Sequence, residues 1–540
     1  MKKYLLLAAC FIFAGCSAST DKESLIIMST ADLHGHVFPW DYYADQPDEQ
    51  HSLLKAASLV DSIRARHPKT LLLDGGDWLQ GNPFAEFYAK VDTVSPYPLL
   101  TAAEAMQFDA IVLGNHEFNF GIPLLNHRIS QTDVTFLGAN IRDFETGEAA
   151  YQPYILNEFD GFSVGVVGLT TPGSAVWDRQ HVEGILEFGD GPKFAAKYVQ
   201  ELRDAGADAV VILMHSGFET GSSYTRDDVP VENFGRLILD TVPGIDAMVI
   251  AHSHRVTEML YEGSEVNPPV PVIQAGRWGS HLGFTELFIH REVDGSVRFT
   301  PGRNMAIPVE DQAPHAELSS LLEDEHQRVR DYISEAIATT SAAWNSDYAR
   351  VEDTPIIDLI QHIQKKHTGA DLSTSAAFNL SAGFGAGSIS RGELARLYPY
   401  ENTLFKLEIN GEILRKYLEH SALYFATSDE TGRPQPSGNT PGFNFDMISG
   451  VDYTMDIRRE PGDRITSLQY NGQPVQPDQK FTIAINSYRA AGGGDYDMLR
   501  DAKVLYESAE SVRAIMEAYL TERGNIEPED VFKQNWALIY

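Results

Sequence analysis

Apolar segments alternate with amphipathic ones along the first three hundred residues of the chain. The apolar segments are short and rich in aliphatic and β-branched residues, which is typical of strands buried on both faces. Between them, residues 52–67 and 193–205 carry apolar side chains at helical spacing. This alternation predicts a layered α/β domain over residues 24–310. Its strands are predicted at 25–29, 70–73, 110–113, 134–137, 163–167, 209–213, 247–250, 270–273 and 284–289.

The pattern changes beyond residue 310. Residues 313–339 form a charged amphipathic run without glycine, which predicts one long helix within a linker over residues 311–343. Residues 344–540 contain three further helical runs and three strand-like runs, so they predict a second α/β domain. Because 540 residues exceed what one hydrophobic core usually holds, the length agrees with two domains.

Polar residues follow the strand predicted at 110–113. Gly114 ends that strand, and Asn115 and His116 come next, where open α/β sheets usually carry their chemistry. An amide oxygen can bind a hard or borderline cation, and an imidazole can transfer a proton. The alternative is a turn in which the polar pair has no chemical role.

Four other predicted strands end in residues of the same kind. Residues spaced D-x-H or H-x-H can present both side chains together, because alternate residues of a strand point to one side. An isolated aspartate often caps a helix and an isolated histidine is often structural. Five strand ends that all offer nitrogen or oxygen ligands nevertheless favour a divalent-metal site. The candidate ligands are Asp32, His34, Asp77, Asn115, His215, His252 and His254.

Five sequence blocks around these residues resemble the calcineurin-like metallophosphoesterases, and within them the bacterial 5′-nucleotidase family. The blocks are D-L-H-G from residue 32, G-D-W-L-Q-G from 76, G-N-H-E-F from 114, M-H-S from 214 and A-H-S-H from 251. The resemblance implies a four-layer α/β/β/α sandwich, joined by a long helix to an α/β nucleotide-binding domain. It also implies two divalent ions, drawn from Zn, Mn, Fe, Co and Mg. One would be held by Asp32, His34 and His254, the other by Asn115, His215 and His252, with Asp77 bridging both.

The resemblance makes His116 a catalytic residue and not a metal ligand. It would stabilise the phosphorane or protonate the leaving oxygen, while water activated by the metals attacks phosphorus. In 5′-nucleotidases an aspartate usually stands three residues after this histidine, whereas this chain has Asn119, which we assign to the catalytic residues beside His116. Without that carboxylate, we expect an imidazolium at His116 to be less stabilised.

Two departures narrow the expected substrate. Asn119 is one, and the other is residues 378–385, which lack the Ile-Arg motif that 5′-nucleotidases use on a terminal phosphate. Both resemble the 2′,3′-cyclic-nucleotide 2′-phosphodiesterase/3′-nucleotidase branch, which implies hydrolysis of nucleoside 2′,3′-cyclic phosphates and 3′-nucleotides. One alternative is a 5′-nucleotidase or UDP-sugar hydrolase. Another is a surface lipoprotein that binds nucleotides and has lost catalysis.

The resemblance places the nucleoside site in the second domain. It implies that the rings of Phe445 and Tyr488 sandwich the base, which suits several bases because each has a π-face. Asp495 would bind a ribose or base group. The alternative for Phe445 is an aromatic residue of the hydrophobic core.

The first residues and the net charge bear on location and partners. Lys2 and Lys3 precede an apolar run, and Ala-Gly-Cys ends it at Cys16, as in a bacterial lipoprotein signal over residues 1–16. Lipidation of Cys16 would anchor the chain in the cell envelope, facing the periplasm or the cell surface; the alternative is an ordinary secretory signal. A net charge of −34 argues against nucleic-acid duplexes as partners. We expect a monomer that binds a small nucleotide and touches the membrane only through its anchor.

Overall fold

The computed structural model describes residues 23–540 except residues 225, 401 and 427–432. The predicted signal segment with Cys16 lies outside the described residues. Within the described part of the chain, no helix is both long and apolar enough to cross a membrane. The described residues form the two α/β domains that the sequence predicts.

Two six-stranded sheets form the N-terminal domain. Each has a parallel centre and antiparallel strands at its margin. The first sheet has the order Val297–Pro308, His281–Arg291, Ser24–Thr30, Thr70–Asp74, Ala110–Val112 and Thr135–Leu137. The second has the order Val256–Tyr261, Val270–Ala275, Ala247–Ile250, Ala209–His215, Phe162–Thr170 and Tyr154–Phe159.

Alternating side chains along the central strands produce the layers. Leu25 and Ile27 of the first sheet share one core with Val211 of the second, so the sheets pack face to face. The intervening Ile26 packs under the helices of the first sheet, and Ile212 packs under those of the second. Burying each such side chain contributes about 1.5–3 kcal/mol. The predicted α/β/β/α sandwich is confirmed.

Helices cover the outer faces of both sheets. Serine, asparagine and aspartate caps begin three of them, because their side-chain oxygens accept a hydrogen bond from a free backbone N–H. The helices are Leu53–Arg64, Pro83–Glu86, the π-helix Phe87–Val91, Pro98–Ala105, Ile122–Ile129, Ser174–Trp177, Arg179–Val182, Gly191–Asp204 and Gly235–Thr241. Short strand pairs, Trp40–Asp41 with Gln46–Pro47 and Ile141–Asp143 with Leu186–Phe188, complete the domain.

The link between the domains differs from the single long helix predicted within residues 311–343. It consists of two helices, Ala316–Leu321 and Glu323–Ser334, separated at Leu322, whose backbone leaves the helical region. Ala336–Thr340 is a strand that pairs with Gly387–Ser390. The β-branched residues in that strand disfavour a helix, which explains why the helical run ends earlier than its charge pattern indicates.

The C-terminal domain surrounds one hydrophobic core. Its five-stranded sheet has the order Asp446–Ser449, Leu372–Ala376, Lys480–Asn486, Thr403–Asn410 and Lys503–Ser511, and its four-stranded sheet has the order Gln473–Pro474, Ile465–Tyr470, Asp452–Asp456 and Trp536–Ile539. Trp344–Asn345 pairs with Gly383–Phe384. The helices are Pro355–Thr368, Arg391–Leu397, Gly411–Ser421, Ser487–Ala490, Val512–Arg523 and Pro528–Val531, with 3₁₀ turns at Ala422–Tyr424, Gly442–Asn444 and Asp497–Leu499.

A buried ion pair fixes two loops of this domain. The guanidinium of Arg489 donates to both carboxylate oxygens of Asp446 at 3.0 Å, and both side chains are at most 2% exposed. Arg489 also donates to the backbone oxygens of Phe443 and Gly493, each at 2.8 Å. The pair therefore holds the loop before residue 446 against the glycine-rich loop after residue 490.

We predict that Arg489→Met destabilises the protein by about 3–5 kcal/mol, because it leaves the Asp446 charge buried without its cationic partner, with only the hydroxyl groups of Thr374 and Tyr417 donating to it. Lys416→Met is the matched control, since Lys416 and Glu412 form an ion pair in the same domain but are about 60% exposed. It should change stability little. Urea unfolding followed by tryptophan fluorescence measures both, and equal effects of the two substitutions would contradict the prediction.

Candidate metal centre and active site

Loops that follow the parallel strands converge at one edge of the two sheets. Asp32, His34, Asp77 and His254 each bring one ligand atom within 4.8 Å of the others. The Nε2 atoms of His34 and His254 lie 3.1 Å apart, and His254 Nε2 lies 3.5 Å from Asp32 Oδ1. His254 is partly exposed and the other three side chains are buried. This cluster could hold a divalent cation.

Asp77 connects this cluster to a second group of predicted ligands. His215 Nε2 lies 3.2 Å from Asp77 Oδ2 and 3.0 Å from Asn115 Oδ1. The ring centroids of His215 and His252 are 5.2 Å apart. The structure thus brings together all seven residues that the sequence analysis named as ligands, with Asp77 between the two groups.

Three histidines of the site have one ring nitrogen already engaged. Nδ1 of His34 and Nδ1 of His215 each donate to a backbone carbonyl oxygen, at 2.8 and 2.6 Å. Nε2 of His252 donates to the carboxylate of Glu232 at 3.0 Å. Metal-binding histidines usually donate their second ring N–H in this way, which leaves the other nitrogen for the metal. The hydrogen bonds therefore fit a metal centre.

The backbone at the site adopts a conformation that non-glycine residues rarely accept. Five of the seven predicted ligands have positive φ angles in the left-handed region. Such residues persist where the surrounding structure holds them, and they cluster at functional sites. The residues are Asp32 (φ 52°), His34 (45°), Asp77 (65°), His252 (71°) and His254 (59°).

One buried carboxylate holds two of these loops together. Glu117 accepts hydrogen bonds from the backbone N–H groups of Asp77 at 2.9 Å, Trp78 at 2.6 Å and Leu79 at 3.3 Å. It also accepts one from Gly114 at 2.6 Å. Burial and the nearby Asp77 raise the pKa of Glu117, and these four donors favour its ionised form.

The charges at the site match a cation. Burial works against ionisation of Asp77, but the imidazoles of His215 and His116 hold the pKa of that carboxyl well below its usual range. Conversely, although burial opposes it, Asp77 raises the pKa of His215 to about 10. Asp32 Oδ2 is buried and has no hydrogen-bond partner among the described residues. A carboxylate oxygen left without a donor, inside a pocket that attracts positive charge, fits a metal ligand.

His116 lies at the rim of this cluster. Its backbone N–H donates to Asp77 Oδ1 at 2.9 Å, and its ring centroid lies 5.2 Å from that of His34. Its Nδ1 is 2.6 Å from Asn119 Oδ1, so the two residues that the sequence analysis assigned to catalysis are in contact. The amide nitrogen of Asn119 in turn donates to Asp178 Oδ1 at 2.6 Å.

Three carboxylates of the site were missed by the sequence analysis. Glu117 stands inside the block G-N-H-E-F, where a glutamate two residues after a candidate ligand was a usable signal. Glu232 and Asp178 follow no predicted strand and belong to no block, so nothing in the sequence pattern singles them out. All three are buried, and each accepts a hydrogen bond from a residue of the site or its loops.

The prediction that the Phe445 ring stacks on a base is wrong. Phe445 is fully buried, and its ring packs against Tyr424 at 5.2 Å and Phe425 at 5.1 Å between centroids. It is the core aromatic residue of the alternative interpretation. Phe443, two residues earlier, is 40% exposed and Tyr488 is 39% exposed. The motif therefore presents its first phenylalanine to solvent and buries its second.

Charges of the N-terminal domain act on two exposed aromatic residues of the C-terminal domain. Burial raises the pKa of the Tyr488 hydroxyl, and the charge of Glu232 in the N-terminal domain adds to the rise. Burial raises the pKa of the Tyr400 hydroxyl, and the charge of Arg277 opposes that rise. The guanidinium of Arg277 lies 3.4 Å from His254 Nδ1. Asp495 is exposed, and its contact with a ribose or base stays a prediction.

Both domains match known families. Residues 26–256 match the calcineurin-like phosphoesterase family, and residues 336–501 match the 5′-nucleotidase C-terminal domain. A 2′,3′-cyclic-nucleotide 2′-phosphodiesterase/3′-nucleotidase of Haemophilus influenzae is 30% identical over 98% of this chain and 89% of that protein. One of Yersinia enterocolitica is 28% identical over 99% and 91%.

A solved structure shows the same arrangement of domains. It was assigned as a 5′-nucleotidase from Staphylococcus aureus and was determined in complex with α-ketoglutarate. It is 25% identical to this chain and superimposes with a TM-score of 0.81 over 95% of this chain and 99% of that one. With both domains matched and the similarity extending over nearly its whole length, the chain belongs to the family of calcineurin-like phosphoesterases that carry a 5′-nucleotidase C-terminal domain.

Proposed function

We propose that this protein hydrolyses nucleoside 2′,3′-cyclic phosphates to 3′-nucleotides, and then 3′-nucleotides to nucleoside and phosphate. The observation that carries the proposal is the set of seven candidate metal ligands that the structure brings together around Asp77. The choice of substrate is supported by the names of the relatives from Haemophilus influenzae and Yersinia enterocolitica. Asn119, in place of an aspartate, agrees with that choice.

Two divalent ions fit the donor set. We assign Asp32, His34 and His254 to one ion, Asn115, His215 and His252 to the other, and Asp77 to both. When bound, the ions would activate water and neutralise charge on the phosphate. Local positive charge of this kind suits the substrate, because a chain with a net charge of −34 otherwise repels an anion.

His116 is placed to move a proton. Its Nδ1–H donates to Asn119, so Nε2 is the nitrogen available to a substrate. In the first step the oxygen of water adds to phosphorus and the P–O2′ bond breaks. The leaving O2′ oxygen takes a proton from Nε2 of His116 in its imidazolium form, and the proton that the water loses restores the one on Nε2, while the other ring proton stays on Nδ1. In the second step the P–O3′ bond breaks in the same way. Such proton transfer typically contributes about 10²–10⁴-fold in rate.

The nucleoside would stack in the C-terminal domain. We propose that Phe443 and Tyr488 bind the base, because both rings are exposed and their loops are tied together through Arg489. The buried pair that holds these loops gives a preformed site, which lowers the cost of ordering it on binding. Stacking accepts different bases, so this arrangement fits a salvage enzyme of broad base preference.

A lipid-anchored location is also proposed. It is supported by the lysines, the apolar run and the Ala-Gly-Cys that ends at Cys16. Cleavage before Cys16 and lipidation of its thiol would leave a short polar tether before the first strand. The monomeric state stays a prediction.

Parallel assays test the substrate. We predict that kcat/KM for 2′,3′-cyclic AMP and 3′-AMP exceeds that for 5′-AMP and UDP-glucose by at least about tenfold, a difference of about 1.4 kcal/mol in transition-state binding. His116→Gln, purified identically, should lower kcat by about 10²–10⁴-fold and so excludes a contaminant as the source. A preference for 5′-AMP would instead make the protein a 5′-nucleotidase.

Metal analysis tests the assignment of ligands. We predict about two divalent ions per chain in active protein, and about one in His215→Ala, because that substitution removes a ligand of one ion only. His290→Ala is the control, since His290 bonds Thr300 away from the cluster. Mass spectrometry of the metals, with chelation and readdition, gives the count. Full activity after exhaustive chelation would contradict the assignment.

Substitution of the aromatic residues tests the nucleoside site. Phe443→Ala should raise KM for 2′,3′-cyclic AMP by about 5–150-fold, since base stacking is worth about 1–3 kcal/mol. It should leave KM for bis(4-nitrophenyl) phosphate, which has no base, unchanged. Phe445→Leu should lower the melting temperature without this selective rise in KM. The opposite pattern would return the stacking role to Phe445.

A further inference from the structure

Asp178 contacts Asn119, the residue that contacts the catalytic His116. Its Oδ1 accepts a hydrogen bond from Asn119 Nδ2 at 2.6 Å, while Asn119 Oδ1 lies 2.6 Å from His116 Nδ1. Asp178 is 4% exposed, and its Oδ2 has no hydrogen-bond partner among the described residues. The structure thus contains a chain of three side chains that runs from a buried carboxylate to the imidazole.

The backbone around Asp178 indicates that this side chain is diverted from its usual role. It stands at the N-cap position of the short helix Arg179–Val182, where an aspartate ordinarily accepts a hydrogen bond from a backbone N–H of the first turn. Asp178 makes no such bond. Its carboxylate instead contacts Asn119, although burying it there costs free energy and raises its pKa to about 7. Because the contact between Asp178 and Asn119 is made despite this free-energy cost, we infer that it serves the function of the site.

The carboxylate of Asp178 can control which nitrogen of the His116 imidazole is protonated, through the carboxamide of Asn119. A carboxamide can turn either its oxygen or its nitrogen toward a histidine, so an asparagine alone does not decide which imidazole nitrogen carries the proton. In its ionised form the Asp178 carboxylate only accepts hydrogen bonds, and this form draws the amide nitrogen of Asn119 toward Oδ1, as the 2.6 Å distance between them shows. The amide oxygen then faces His116 and accepts from Nδ1–H.

We propose that Asp178 is a positioning residue. It fixes the orientation of the Asn119 carboxamide and, through it, keeps one proton of His116 on Nδ1, so that Nε2 faces the substrate and is the nitrogen that gains and loses the transferred proton. The proposal rests on the proposed function only in making His116 the residue that moves a proton. Asn119 replaces the carboxylate that 5′-nucleotidases usually place next to this histidine. In this chain Asp178 supplies a carboxylate one side chain further from His116.

The segment that carries Asp178 also touches the metal ligands. The ring of Trp177 stacks on that of His252 at 5.6 Å between centroids. The backbone N–H groups of His181 and Val182 donate to the Asp178 carbonyl at 2.8 and 3.1 Å, which holds the turn. The turn is therefore anchored on both sides of Asp178, and Asn119 has a fixed partner.

An exchange of the two side chains tests the proposal. Asp178→Ala should lower kcat for 2′,3′-cyclic AMP by about 10–100-fold, the usual cost of losing an orienting partner, with KM changed less than about twofold. Asn119→Asp should also lower kcat, because it places two carboxylates in contact. The double variant Asn119→Asp with Asp178→Asn should recover to within about threefold of the original kcat. In that variant the carboxylate introduced at position 119 would accept from both His116 and the amide introduced at position 178.

A spectroscopic readout keeps the test independent of turnover. In zinc-loaded protein labelled with ¹⁵N-histidine, the His116 signal, identified by its absence in His116→Gln, should show Nδ1 protonated in the original protein and in the double variant. Asp178→Ala should shift it toward a mixture of the two tautomers. An unchanged tautomer and unchanged kcat in Asp178→Ala would overturn the proposal, as would a folded double variant that stays as slow as Asn119→Asp.

The same measurements distinguish a wrong role for Asp178 from a wrong substrate. If the original protein prefers 5′-AMP, the proposed substrate is wrong, yet the tautomer of His116 still reports on Asp178. Hydrolysis of bis(4-nitrophenyl) phosphate supplies the kcat comparison in that case. The substrate panel and the exchange of side chains can therefore fail separately.

Discussion

The carboxylate of Glu117 is the interaction on which the site depends. It accepts hydrogen bonds from four backbone N–H groups on the loops that follow two adjacent strands of one sheet. These bonds fix Asp77 in a left-handed conformation and Gly114 directly beside it. A Cβ atom at Gly114 would lie 2.2 Å from Asp77 Oδ1, so only glycine permits this approach. Without Glu117 these four N–H groups would lose their shared acceptor, and the position of Asp77 between the two groups of candidate ligands would be less strictly held.

The position of Asp77, which Glu117 holds, determines how the other residues of the site are arranged. Asp77 lies between His34 and His215, which makes one buried carboxylate common to two candidate cation positions. Backbone carbonyls and Glu232 orient the histidines, so the ligands are preformed by their supporting hydrogen bonds. His116 is tied to the same carboxylate through its backbone N–H. The proposed proton-transfer group and the candidate metal ligands are thus positioned by one local structure.

Much of the fold and the metal site could be predicted from the sequence, because buried parallel strands and their polar ends leave strong local patterns. The nine predicted strands of the first domain are all present. Strands at the margins, such as Tyr154–Phe159 and Val256–Tyr261, are partly exposed and lack that continuous apolar character, so the pattern missed them. Ligands on strand ends were found, whereas Asp178 and Glu232 were not, since contacts across long loops leave no periodic signal. Phe443 and Phe445 show a further limit: residues two apart share the same motif, and only packing decides which one is exposed.

Anomalous diffraction from crystals grown with zinc tests the central claim most directly. The account predicts two peaks at the zinc edge, one beside His34 and one beside His215, each within about 2.2 Å of an oxygen of Asp77. The peaks locate the ions without reference to any substrate or rate. A single peak, or a second peak that leaves Asp77 outside its coordination sphere, would contradict the claim that one carboxylate serves both ions.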